Sequence, residues 1–196
     1  MLKISSNISI KEYNYFPTSN GELRKIVYTR ILDNVNANLN DIDITEVDDL
    51  SYIFYDLNPH KIDISEWNTS HVTNMEGMFM NCTNFKGDIS MLDTSNVVNM
   101  RVMFHGCYAF NSDISKWNTE KLRRADFMFK DCLSFNQDVS NWNMKNCRNI
   151  NHMFDKAIKF NYDLSKWEIH DDCQKFKAFV ACHSLKNKPN WYTIGF

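Results

Sequence analysis

One pattern returns every 25 residues between Asp63 and Leu185, and no insertion breaks it. It reads Asp-Ile-Ser, an indole, an Asn-Thr-Ser-like turn, then an apolar series ending in Met-Phe, Cys and Phe. Asp63, Asp88, Asp113, Asp138 and Asp163 share one register, as do Phe79, Phe104, Phe129, Phe154 and Phe179. Cys82, Cys107, Cys132 and Cys182 form a third column, with Ala157 in place of a thiol. A fixed period of this size marks an array in which each unit buries its apolar face only against its neighbours. The expected organisation is one structural domain. Residues 1–37 form an N-terminal cap of short strands and a helix over 19–34, residues 38–187 the repeats, and residues 188–196 a C-terminal cap.

Within a unit the spacing divides in two. Val72, Met75, Met78, Phe79 and Cys82 are three and four apart, which predicts one face of a helix with Thr69 or Ser70 capping it. Phe85, Gly87 and Ile89 alternate with Lys86, Asp88 and Ser90, which predicts a short strand. Strands stack ~4.8 Å apart and helices need ~8 to 10 Å, so such an array must curve. The expected fold class is an α/β solenoid: a right-handed arc of five to six strand-helix repeats, a parallel sheet on its concave side, and a helical N-terminal cap.

The ends are atypical, as ends of arrays are. Ile4, Ile8 and Ile10, then Tyr13 and Tyr15, alternate weakly as one or two strands ended by Pro17. Ser19 and Glu22 have capping-box spacing before Leu23, Ile26, Val27 and Ile31. In the degenerate first repeat Ile42 takes the indole column, and the surrounding acids are expected to match a helix start. In the last repeat Asp172 and Lys175 stand in apolar columns, so its helix is expected to start late or face solvent. Pro189, Trp191, Tyr192 and Phe196 look like a lid.

The net charge of −2 conceals an asymmetry. Residues 1–112 carry 8 Lys and Arg against 14 Asp and Glu, and residues 113–196 carry 14 against 10. That balance excludes a globally basic nucleic-acid binder but leaves a local patch in the second half. Four of the six cysteines lie in one apolar column, so they read as reduced core thiols. No export signal or stretch of ~18 apolar residues stands out, and the expected location is the cytoplasm, with no membrane contact.

Two sets of residues are candidate sites. The column Asp63, Asp88, Asp113, Asp138 and Asp163 is expected on the concave face, either as a binding strip or as caps for backbone donors. The cluster Lys116, Lys121, Arg123, Arg124, Lys130, Lys145 and Arg148 departs from the repeat template towards one charge. It reads as a solvated face or as the contact for an acidic protein or phosphate backbone. Catalysis has little support: the six His fall in six columns, and there is no phosphate loop, no His-Glu-x-x-His and no Cys-x-x-Cys. Neither catalytic residues, metal nor cofactor are expected.

The units Asp63-Ile-Ser-Glu-Trp-Asn-Thr-Ser-His-Val-Thr-Asn-Met-Glu-Gly-Met-Phe and Phe110-Asn-Ser-Asp-Ile-Ser-Lys-Trp-Asn-Thr resemble the repeats of BspA-like leucine-rich-repeat proteins, a bacterial family also seen in mobile elements. The resemblance covers residues 38–187. It implies a leucine-rich-repeat-like fold and binding of macromolecules, often in adhesion at the cell surface. The expected function is therefore a non-catalytic module that docks a protein partner as adaptor or inhibitor, for example one encoded by a mobile element. Contact with nucleic acid or nucleoprotein through the basic half is a further expectation. The alternatives are a surface adhesin and a hydrolase with a carboxylate-lined groove.

Overall fold

The computed structural model describes residues 11–192, so the strand expected around Ile4, Ile8 and Ile10, and Phe196 of the lid, lie outside the described residues. It holds one helix, α1, Asn20–Asp33. Ser19 caps it, accepting the Glu22 amide, and Leu23, Val27 and Ile31 are buried beneath it. The rest of the described chain is turns and isolated parallel bridges. The strand-helix unit, the concave parallel sheet and the leucine-rich-repeat solenoid expected from the spacing do not form.

The reason lies in the backbone of the stretch expected to be helical. Two residues recur with positive φ in every 25, Tyr52 and Asp56, Gly77 and Asn81, Val102 and Gly106, Phe127 and Asp131, His152 and Lys156, Lys177 and Ala181, and the first coil adds Asn58. Each pair sits at the third residue of two successive turns, closed in one unit by Met78 N to Met75 O at 3.3 Å and Cys82 N to Phe79 O at 3.0 Å. Positive φ at that place is the requirement of a type II turn. Left-handed residues recurring four apart forbid a right-handed helix. The three- and four-residue spacing is met instead by a chain of tight turns with the same side chains inside.

Successive 25-residue circuits, called coils below, stack in register through this stretch. Bridges run from Asp49 to Asn74, Asn99, Arg124, Asn149 and Gln174. Four amides of each coil donate to four carbonyls of the next: Met75, Gly77, Phe79 and Asn81 to Asn99, Arg101, Met103 and His105, at 2.8–2.9 Å. The same four columns repeat up to Ile150, His152, Phe154 and Lys156, donating to Gln174, Phe176, Ala178 and Val180. In a parallel sheet a strand both gives to and takes from each neighbour. Here these columns run one way, amides towards the C-terminal end and carbonyls towards the N-terminal end. Bonds in the reverse direction, donated to the preceding coil, run through Thr73, Val98, Arg123 and Arg148 and, further along the circuit, through Lys86, Ala109 and Ser134.

Like side chains then pile up. Phe54, Phe79, Phe104, Phe129, Phe154 and Phe179 stack 4.9–5.8 Å apart, and Phe85, Phe110, Phe135 and Phe160 form a parallel stack at 5.8–6.0 Å. Each indole donates Nε1–H to the preceding coil, as Trp67 does to Leu39 O at 2.9 Å and Trp142 to Ile114 O at 3.1 Å. The Cys column does likewise, Cys107 Sγ lying 2.8 Å from Phe79 O. All six cysteines are buried and reduced. Thr69 caps no helix; its hydroxyl donates to Asp93 O at 3.0 Å in the next coil.

Both ends of the stack are covered. The first coil has no predecessor to donate to its carbonyls, and Asn20 of α1 supplies Nδ2–H to Asp49 O at 3.0 Å and Ser51 O at 2.9 Å. The acids expected to match a helix start there do other work: Asp41 pairs with Arg30 at 3.0 Å, and Asp43 and Asp49 accept amides two residues on. In the last coil no helix forms, and Cys173 fills the apolar column that Asp172 was expected to occupy, while Lys175 keeps the column of Ile150. Cys173 is buried, and its amide donates to His170 O as Cys147's does to Met144 O. Trp191 extends the indole column, stacked 6.0 Å from Trp167 and bonded to Leu164 O.

Candidate functional site

The concave sheet expected to carry the Asp column does not form, although Asp88 and Asp113 line an open depression. Asp63, Asp88, Asp113, Asp138 and Asp163 each accept the amide of the Ser two residues on, at 2.8–3.0 Å, in a local turn that mimics a backbone turn. The Ser65 amide holds the Asp63 carboxyl below its ordinary range, and Ser115 does the same for Asp113. This is how a row of like charges is tolerated: each is matched to a donor of its own coil.

The seven basic residues are not one patch. Lys116 flanks an open depression with Lys86, Asp88, Met91 and Asp113. Arg123 and Arg148 lie one above the other on a different edge, joined by their backbones, with Lys121 reaching Asn96 and Lys145 standing 3.7 Å from Glu168. Arg124 and Lys130 belong to a third place, where the structure concentrates most chemistry.

That place is a groove of about 460 Å³ lined by Tyr52, Tyr55, Met80, Arg101, Val102, His105, Phe127 and Lys130. It runs along the turn ladder, on side chains that leave the coils outward. The left-handed residues Tyr52, Val102 and Phe127 aim here because positive φ turns them out of the stack. Gly77 stands in the same column because a Cβ would run into the Tyr52 ring.

An ion-pair network underlies the groove. Glu76 accepts from Tyr52 Oη, Asn99 Nδ2 and Arg101 Nη1, each at 2.8 Å. Burial works against its charge, but these three donors outweigh it and hold the carboxyl below its usual range. Arg101 also reaches Asp126 through Nε at 3.0 Å, and Arg124 Nη2 meets the same carboxylate at 3.2 Å. Further along, His105 lies 3.4 Å from Asp131, and His152 lies 3.1 Å from Asp155. Burial lowers the pKa of His105, with Asp131 pulling the other way. Phe127 stacks on His152 at 4.9 Å and 7°, and the Lys130 ammonium is 5.6 Å from its centroid.

Sequence reasoning found Arg124 and Lys130 here and missed Tyr52, Glu76, Arg101, His105, Asp126, Phe127 and His152. Their signal was present: positions 76, 101 and 126 form one column that alternates acid, base, acid along the stack. Among the described residues no group of three or more His, Cys, Asp and Glu could hold a metal, and no helix is long and apolar enough to cross a membrane.

A family described as Mycoplasma protein of unknown function, DUF285, matches residues 22–123 and residues 88–192. No curated protein and no solved structure matches the chain.

Proposed function

We propose that this chain, which belongs to the DUF285 family, is a non-catalytic binding module that docks a protein partner and acts as adaptor or inhibitor. The observation that carries the reading is the groove lined by Tyr52, Tyr55, Met80 and Phe127, where partly exposed apolar side chains sit on a hydrogen-bonded, stacked backbone. Aromatic residues and Arg in a depression are the usual anchors of protein interfaces. A rigid backbone lowers the entropy lost on docking. The likeness of the 25-residue units to BspA-like repeats, a finer placement within the same proposal, also favours macromolecular binding. A cytoplasmic setting belongs to the proposal and is checked by fractionating the native host.

Affinity capture from that host tests the function. Wild type is expected to retain a protein partner that Tyr55→Ser, on the groove rim, retains poorly. Replacing Arg123 and Arg148 by Glu reports separately on the outer basic edge. Equal capture by wild type and Tyr55→Ser contradicts docking through the groove.

A further inference from the structure

We infer that the groove takes an acidic peptide segment carrying an apolar anchor, a partner class that rests on the protein-docking reading above. The ion pairs beneath it are all oriented the same way. The side chain of Arg124 is 47% exposed over Asp126 at 4%, Lys130 25% over Asp155 at 9%, and Arg101 34% beside Glu76 at 19%. The acids lie inside and the cations outside, so the surface presents positive charge although the network is nearly balanced. Glu76 and Asp126 already accept hydrogen bonds through both oxygens. The cations have capacity left: Lys130 Nζ is 3.8 Å from Asp155, beyond hydrogen-bond reach, and Arg101 uses Nε and Nη1 for Asp126 and Glu76. An arriving carboxylate therefore meets donors.

The floor selects for more than charge. Partly exposed Met80 and Phe127, beside buried Val102, offer an apolar surface that a purely acidic segment would leave wetted, and that a Leu or Phe side chain would cover. Single-stranded nucleic acid fits less well, because it needs aromatic faces free for bases. Phe127 is already stacked on His152 and overlain by Lys130, and Tyr52 and Tyr55 pack edge to face, with Arg24 over the Tyr55 ring.

The test is fluorescence anisotropy on the full chain with three labelled probes: a short Asp/Glu peptide with a central Leu-Phe pair, the same peptide with Ser-Ser there, and a single-stranded oligonucleotide of similar charge. The Leu-Phe peptide is expected to bind about tenfold more tightly than the Ser-Ser peptide, and Lys130→Gln to weaken it about tenfold. Met80→Ser, which breaks no ion pair, should weaken the Leu-Phe peptide alone, with thermal midpoints confirming that both variants fold. Equal binding of the two peptides overturns the inference. So does an oligonucleotide that binds at least as tightly and is lost with Lys130→Gln. Capture from the native host separates the two levels. A partner retained equally by wild type and both variants defeats this inference and leaves the docking module standing, whereas no captured partner defeats the module itself.

Discussion

At the residue scale, the left-handed columns are the unusual expense of this fold. Asp56, Asn81, Gly106, Asp131 and His152 are types that visit positive φ readily, but Val102, Phe127, Lys156 and Lys177 are not. A non-glycine residue there costs roughly 1–2 kcal/mol, offset in every coil but the last by the inter-coil bond that its own amide makes. Lys156 is exposed, and its pair with Asp131 at 3.5 Å is weak, so Lys156→Gly is expected to stabilise the protein by up to about 1 kcal/mol in urea titration. Unchanged or lower stability would deny the strain. The thiols give a second check. Burial pushes Cys82 up to about 12, and Cys107 and Cys132 also rise through burial. None of the three should react with iodoacetamide at mildly alkaline pH until the chain is unfolded. The Asp column gives a third. Asp63 and Asp113 have folded pKa values below their unfolded ones, so their contribution is present above pH ~4 and is lost as pH falls through the folded values. Asp113→Asn keeps an acceptor for Ser115 and should be nearly neutral at pH 7 while flattening that acid dependence. Asp113→Ala should destabilise at pH 7, and an Ala variant as stable as wild type would show the turn to be dispensable.

At the element scale, α1 stands in for a missing coil. Asn20 satisfies two carbonyls that every later coil has satisfied by its predecessor's amides. Asn20→Ala should cost about 1–3 kcal/mol, and Asn20→Asp more, because a carboxylate would face carbonyl oxygens. If both equal wild type in chemical denaturation, the end needs no such cap. The same comparison shows what was legible. The capping residues Ser19 and Glu22 and the apolar positions 23, 27 and 31 are local signals, and they mark α1. In the repeats, 72, 75, 78, 79 and 82 correctly name buried side chains, but inside positions three and four apart are shared by a helix and by a run of turns. What separates the two is backbone sign, which Gly77, Asn81 and Gly106 advertise, and Asp56 and Asp131 more weakly. Positions filled by Tyr52, Val102 and Phe127 conceal it, and the groove was missed for that reason, since those residues line it. The strand expected from Phe85, Gly87 and Ile89 keeps its alternation of burial without pairing. Most inter-coil backbone bonds lie in the stretch that reads as helix, with a few elsewhere such as Lys86 N to His60 O.

At the scale of the whole molecule, the one-way columns align peptide units along the stack, carbonyls towards α1 and amides towards Trp191 and Tyr192. In a helix such alignment sums into a macrodipole; here four parallel columns carry it across the coils. Stability should then be set by interfaces between neighbouring coils, as in any quasi-one-dimensional array. The most direct test is NMR detection of couplings across hydrogen bonds. The account predicts couplings from the amide nitrogens of Phe79, Phe104 and Phe129 to the carbonyl carbons of Met103, Met128 and Met153. Couplings from those same amides to the carbonyls four residues earlier, the signature of a helix in each repeat, would contradict it.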